Sequence, residues 1–404
     1  MHFEDQPQDA EYRTRVRAWL EANAPRKTRP DETWGLHLPE DDRVAAAREW
    51  QRRKFDAGFG AIAFPRRYGG AGGRAYESVI FQQEEANFSV PVAFYNISLG
   101  VCIPSLLALA RPEHKERHVR AALEGTEVWC QLYSEPAAGS DLAGILTRAE
   151  RDADTGDFII NGQKVWTTHA RHASWALLVA RTDASKPKHE GLTVFIIDMK
   201  APGITVRPIR QASGEADFNE VFLTDVRVPA ANVIGEVDGG WKVIVASLVH
   251  ERVSIGGALP RDLHRMTLEM AGDRAKTDAR IRERVADQYL MSQGLWLMSA
   301  RALTAVSKGQ APGPESICAK IIAGRFLQDF AYFGMDLRGS EGVLAGRELD
   351  EAAMTAQRMW FGSLAVRIAG GTDEIVRNTI AERVLGLPPE VRIDKGIPFK
   401  DLPR

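Results

Sequence analysis

Two stretches carry most of the side chains able to do chemistry. In WCQLYSEPAAGSDLAG, residues 129–144, Glu135-Pro136 ends a strand, Ala137 and Ala138 keep the turn slim, and Gly139 lets the backbone approach a partner closely. Ser140 and Asp141 then offer donors and an acceptor. Such a turn suits a planar or phosphorylated ligand, and the same letters also make an ordinary loop. In NGQKVWTTHA, residues 161–170, a strand places Trp166 and Thr168 on one face, because strand side chains repeat every two residues. An indole beside a hydroxyl suits a flat heteroaromatic ligand; a core Trp with a β-forming Thr is the other reading.

The elements that must position these residues follow from periodicity. From Glu11 to about Glu127, apolar residues recur at helical spacing, as in DDRVAAAREWQRRKFDAG, and AFPRRYGGAGG at 63–73 reads as a loop. After Val128 come short β-branched and aromatic runs, DFIINGQKVWTT, ASWALLVARTD, GLTVFIIDM, GITVRPI and NEVFLTDVRVP, which read as an antiparallel sheet or small barrel. No GxGxxG follows any of them. From Gly239 onward helical periodicity returns, with GQAPGPES at 309–316 as a short linker. The expected division is a helical domain over 1–128, a β-domain over 129–236 and a helical bundle over 237–404.

Composition sets bounds. The 404 residues suggest two or three folding units. With 44% hydrophobic and 26% charged residues the chain reads as globular. A net charge of −2 supplies no field for gripping a phosphate backbone, so nucleic acid is not an expected partner. Three scattered cysteines, Cys102, Cys130 and Cys318, fit a reducing compartment, and the acidic start MHFEDQPQDAEYRTR lacks the features of a secretory signal. Cytoplasmic location is the expectation. Residues 91–110 carry no charge but are broken by Pro91, Asn96, Gly100 and Pro104. They read as two buried helices meeting near Pro104 rather than a membrane span.

SEPAAGSD followed by NGQKVWTT, preceded by FPRRYGGAGG and followed by IAGGTDEIVRNTIAERVLGLP, resembles the acyl-CoA dehydrogenase family of flavoproteins across essentially the whole chain. The resemblance implies a mostly α protein with a central antiparallel β-domain, an N-terminal helical domain and a C-terminal four-helix bundle. It also implies FAD as cofactor and a homo- or hetero-oligomer. Gln131, Leu132, Ser134, Gly139 and Ser140 are expected to line the flavin and part of the acyl-CoA site, with Trp166 over the isoalloxazine and Thr168 near its reactive nitrogen. Thr372 and Glu374 are expected at the phosphate and adenosine end, with Gly371 leaving room for that approach. Ser140 and Arg252 are the expected substrate-binding residues. The implied reaction turns an acyl-CoA thioester into a trans-2-enoyl-CoA, and an electron-transferring flavoprotein takes the electrons.

The resemblance breaks at the base. Many relatives carry Glu before the Gly-Thr of the C-terminal element, where this chain has Gly370. Others carry it on an earlier helix, at the position of Glu251, which shares a helix face with Ser247, Ser254 and Ile255 by spacing. Glu251 is therefore the expected base, with His250 and Glu374 as weaker candidates; pairing with Arg252 or Lys242 on a solvated face is the other reading. Gly370 still offers a backbone N–H to the thioester oxygen. No RxxFG-type segment occurs; Arg280 or Arg282 reads either as the substitute for its phosphate contact or as an ordinary surface residue. Small residues at Gly256, Gly257 and Ala258 hint at room for a bulky acyl chain. Two rival functions remain, a structural partner subunit of a heteromeric dehydrogenase, and a related flavin oxidase or hydroxylase.

Overall fold

The structure, a computed structural model, describes residues 5–28, 32, 34–35, 38–256, 263–308, 310, 313, 315–344 and 351–402, with backbone only at 249–256, 306–307, 315–316 and 351–353. Five helices come first: α1 (Pro7–Asn23), α2 (Glu40–Asp56), α3 (Ala75–Glu85), α4 (Ile103–Leu109) and α5 (Pro112–Leu123). Eight strands follow: β1 (Trp129–Leu132), β2 (Arg148–Arg151), β3 (Phe158–Thr168), β4 (Trp175–Arg181), β5 (Leu192–Asp198), β6 (Ile204–Pro208), β7 (Phe218–Val228) and β8 (Val233–Ile234). The chain continues through α6 (Gly240–Gly256), α7 (Leu263–Ala271), α8 (Arg274–Thr277), α9 (Ala279–Ser307), α10 (Glu315–Arg338), α11 (Glu351–Ile368) and α12 (Asp373–Arg383). The order is helices, strands, helices.

Two compact units form, both discontinuous in sequence. One holds residues 1–43, 71–91 and 255–389; the other holds 44–70, 92–254 and 390–404. In the first, Tyr12, Val16 and Leu20 put an apolar stripe on α1 at four-residue spacing, all of it buried. Arg13 and Arg17 of α1 reach the buried carboxylate of Glu84 on α3 at 3.1 and 2.9 Å. Helix α10 packs against α7, α9 and α11, and its Ala323, Phe326 and Phe330 share a core with Leu263, Met266 and Leu295.

The second unit is built on one sheet in the order β6-β7-β3-β2-β4-β5-β8, with β1 added beside β4. Most pairings are antiparallel, but β1 runs parallel to β4 from Trp129↔Trp175 to Leu132↔Leu178, and β2 meets β4 in a parallel bridge at Arg148↔Arg181. The sheet is therefore mixed. The long crossover from β1 to β4, which carries β2 and β3, is what a parallel neighbour requires. Strands β4 and β5 are buried on both faces. Leu177, Val179, Val194 and Ile196 face one core with Trp129 and helices α4 and α5, while Leu178, Ala180, Phe195 and Ile197 face another with Leu132, Phe158 and Ile160. Continuous apolar runs such as WALLVA thus record two-sided burial rather than a helix.

Residues 91–110 differ from the two-helix expectation. A π-helical segment, Ser98–Cys102, leads without a break into α4, and Pro104 sits in the first turn of α4. The wider π-turn removes the clash that a proline ring makes with the carbonyl four residues back, so one helical run passes through. No described helix is long and apolar enough to cross a membrane.

The end of the chain returns to the sheet. Phe399 N–H donates to Lys186 O at 2.8 Å and Lys400 N–H to Ala184 O at 3.0 Å, while the Arg181 guanidinium lies 3.5 Å from the Phe399 ring centroid. Lys188 joins Asp394 of this segment, at 2.5 Å, to Asp141 of the SEPAAGSD turn, at 3.0 Å.

Candidate active site

The residues singled out in the sequence fall into two groups, one in each compact unit. In the β-unit, the SEPAAGSD turn and the NGQKVWTT strand are tied together by a fully buried ion pair. Lys164 of β3 is 0% exposed and donates to Glu135 Oε1 at 2.7 Å and to Tyr133 O at 3.0 Å. Glu135 also accepts from the backbone N–H groups of Leu146, at 2.6 Å, and Thr147, at 3.0 Å. Val165 N–H donates to Ser134 O at 3.0 Å. Burial pushes the Lys164 ammonium down to about 8 against the pull of Glu135. Burial alone would raise the Glu135 carboxyl, but the Lys164 charge and the donors around it hold it below the usual carboxylate range. Near neutral pH both are charged, and each turns the other's desolvation cost into a bond.

In the sequence Glu135 stands out only as a strand end, and Lys164 does not stand out at all. The alternation of β3 was the available signal. Phe158, Ile160 and Lys164 share one parity and are buried, so an ammonium at an inward position had to find a buried carboxylate.

After Lys164 the strand changes face. The pairing of β3 with β7 slips between Lys164/Val221 and Thr167/Asn219, and Trp166 adopts φ 61°. This bulge turns Val165 and Thr167 inward and leaves Trp166 59% exposed, edge-on to Phe218 at 6.0 Å, with Thr168 half-buried on the same side. The core-plug reading of Trp166 is thereby removed. A left-handed backbone at a bulky residue is costly, and such strain concentrates at functional sites.

On β1, Leu132 is fully buried in the core, so only its main chain can reach a ligand. Gln131 is half-buried, and its Nε2 is buried with no hydrogen-bond partner among the described residues. A donor left in this way calls for an acceptor from outside the chain. Gly139 and Ser140 are exposed at the tip of the turn, and nothing lies within 4 Å of where a Gly139 side chain would start. An orphaned donor, an exposed indole and an open glycine turn fit the heteroaromatic ring of FAD.

Helix α6 is fastened just past the end of β1. Tyr133 Oη and Ser247 Oγ lie 2.9 Å apart, both buried, and Ser247 Oγ donates to Ile244 O at 2.8 Å, which leaves Tyr133 as the donor between them. Glu251 stands four residues further along α6; its side chain and that of Arg252 lie outside the described residues, as does the Gly257–Ala258 segment. Ser247→Ala removes the acceptor that the buried Tyr133 hydroxyl meets at 2.9 Å and is expected to cost about 1–3 kcal/mol, more than Tyr133→Phe, which leaves Ser247 bonded to Ile244. Urea unfolding of the two variants tests the order.

In the helical unit, α11 ends at Ile368 and α12 begins at Asp373, and the turn between them holds Gly370 at φ 68° and Gly371 at φ 99°. Only glycine takes both values readily. Thr372 caps α12, its Oγ accepting from Ile375 N–H at 3.3 Å. Glu374 is exposed, 3.6 Å from Arg377. Asp373 is buried between Lys320 and Arg367, which hold its carboxyl below the usual range against the desolvation that would raise it. Arg280 is exposed beside Asp278, and Arg282 donates to Lys276 O.

The chain matches the family models "Acyl-CoA dehydrogenase, N-terminal domain" over residues 6–126, "middle domain" over 130–226 and "C-terminal domain" over 238–385. It is 36% identical over 395 residues to acyl-CoA dehydrogenase IpdE1 of Mycolicibacterium smegmatis, which covers 95% of this chain and 98% of that protein. Acyl-CoA dehydrogenase FadE34 of Mycobacterium tuberculosis is 37% identical over 354 residues, 87% of this chain and 47% of the longer relative. Among solved structures, the ChsE4-ChsE5 complex from Mycobacterium tuberculosis is similar with TM-score 0.80 and 27% identity, and the Tcur3481-Tcur3483 steroid ACAD with 0.78 and 25%. Each covers 96% of this chain and 100% of its own.

Proposed function

Because this chain belongs to the acyl-CoA dehydrogenase family, we propose that it removes hydrogen from the α- and β-carbons of a bulky acyl-CoA thioester, giving the trans-2-enoyl-CoA and passing electrons to an electron-transferring flavoprotein. The chain is an acyl-CoA dehydrogenase with FAD as its cofactor. The observation that supports flavin chemistry at this site is the cross-tied pair of segments, which presents Trp166, Thr168, Ser134 and a Gln131 Nε2 without a partner among the described residues.

When bound, FAD supplies the acceptor for the hydride leaving the β-carbon. The residues of this chain do the rest. Gln131, Ser134 and Thr168 hold the flavin ring, Trp166 covers it, and Thr372 and Glu374 serve the phosphate and adenosine end. Ser140 and Arg252 bind the thioester's CoA portion. Glu251 takes the α-proton, and the Gly370 N–H receives the thioester oxygen as charge develops there. The fastening of Ser247 to Tyr133 supports the Glu251 assignment, because it holds α6 against the residue that follows β1 one helical turn before position 251.

The bulky-substrate reading rests on likeness to a protein described as a steroid ACAD. Anaerobic titration with a panel of acyl-CoA thioesters tests it. Fused-ring acyl groups should bleach the flavin faster than straight chains, and equal or reversed preference overturns that part. The same neighbours are two-protein complexes, which favours assembly with a second related chain. A colourless protein that gains activity only on mixing with such a chain would replace the self-sufficient reading.

A further inference from the structure

Where many relatives have a carboxylate, this chain has only backbone, and a backbone donor is useful only if its direction is fixed. Among the described residues no acceptor meets the Gly370 N–H. The turn around it has no side chain at 370 or 371 to hold it, yet it is held from outside. Lys320 of α10, 6% exposed, donates to Arg367 O at 3.1 Å, Gly371 O at 2.6 Å and Asp373 Oδ1 at 3.3 Å. An ammonium has three protons, and all three are used. Arg367 completes the arrangement, giving Nε to Asp373 Oδ2 and Nη1 to Gln328 Oε1, both at 2.8 Å.

The geometry of charges is favourable as well. The ammonium sits at the last carbonyls of α11, where the helix dipole attracts a cation, and Asp373 sits at the first turn of α12, where it attracts an anion. One buried side chain therefore grips the turn on both sides of Gly370, at Arg367 O before it and at Gly371 O after it. With two left-handed glycines between these points, little else restricts the peptide planes.

We propose that Lys320 is a positioning residue for the dehydrogenation, fixing the Gly370 N–H in the direction that receives the thioester oxygen. This rests on the assignment of that N–H as the oxygen's donor. The test uses wild-type and Lys320→Met holoenzyme with FAD bound, each mixed with the trans-2-enoyl-CoA product of the best thioester in the panel. Difference infrared spectroscopy reads the thioester C=O stretch, which a hydrogen bond lowers. The wild type should show the lowered stretch. K320M should lose most of it, with kcat down roughly tenfold to a hundredfold, the scale of a slight misplacement, KM within about threefold, and FAD content unchanged. Lys320→Gln, which keeps one donor for Gly371 O, should restore part of the shift; it alone decides if K320M yields no folded holoenzyme. A variant with the full wild-type shift and kcat overturns the role of Lys320. Absence of any shift in the wild type removes the Gly370 donor itself, and the proposal with it.

Discussion

Glu251→Gln should leave a yellow, FAD-loaded protein whose flavin is no longer bleached by any acyl-CoA in the panel. The loss in kcat should be at least about 10²–10⁴-fold, the usual contribution of a general base. Gln keeps the size and hydrogen-bonding capacity of Glu and lacks only its basicity, so binding should change far less than turnover. Position 370 cannot compensate, since Gly370 has no side chain. The alternative pairing of Glu251 with Arg252 or Lys242 on a solvated face predicts near-normal bleaching in the same experiment. Retained bleaching therefore ends the assignment, and His250 and Glu374 become the next positions to neutralise.

Glu135→Leu should be the most destabilising single change in the β-unit, at about 3–5 kcal/mol, the cost of leaving one member of a buried ion pair alone. It strands the Lys164 ammonium, which keeps only Tyr133 O, and frees two backbone donors at Leu146 and Thr147. Lys164→Met should cost less, because Glu135 would retain those two donors. The double variant should be less destabilised than the sum of the singles, since it removes both charges together. Denaturant unfolding of the four proteins gives the cycle, and the FAD content of each reports whether the two segments still act as one support. A cost below about 1 kcal/mol for Glu135→Leu would show that the pair does not hold them.

Much of this was legible in the sequence because local pattern and burial agree. The three-part order of elements followed from periodicity, and Trp166 with Thr168 was rightly placed on one face. What escaped depends on contacts between distant residues. The bulge at Trp166 could not be seen, since it arises from a slip against β7 some fifty residues on. The parallel seat of β1 beside β4 reflects where a long crossover lets the strand return. Pro104 read as a helix boundary because a proline in an ordinary helix is one, and the π-turn before it cancels that rule. Lys320 carries no local sign of its role, because its three acceptors come from a turn about fifty residues later.

The return of residues 390–402 to the sheet constrains how the molecule is made. On a ribosome, strands β4 and β5 emerge about 200 residues before Phe399 and Asp394, which at 5–20 residues per second is a wait of roughly 10–40 s. During that interval the Arg181 guanidinium and the Lys188 ammonium have no final partners from the tail. The β-unit therefore lacks these contacts until residues 390–402 have themselves been made and have left the exit tunnel.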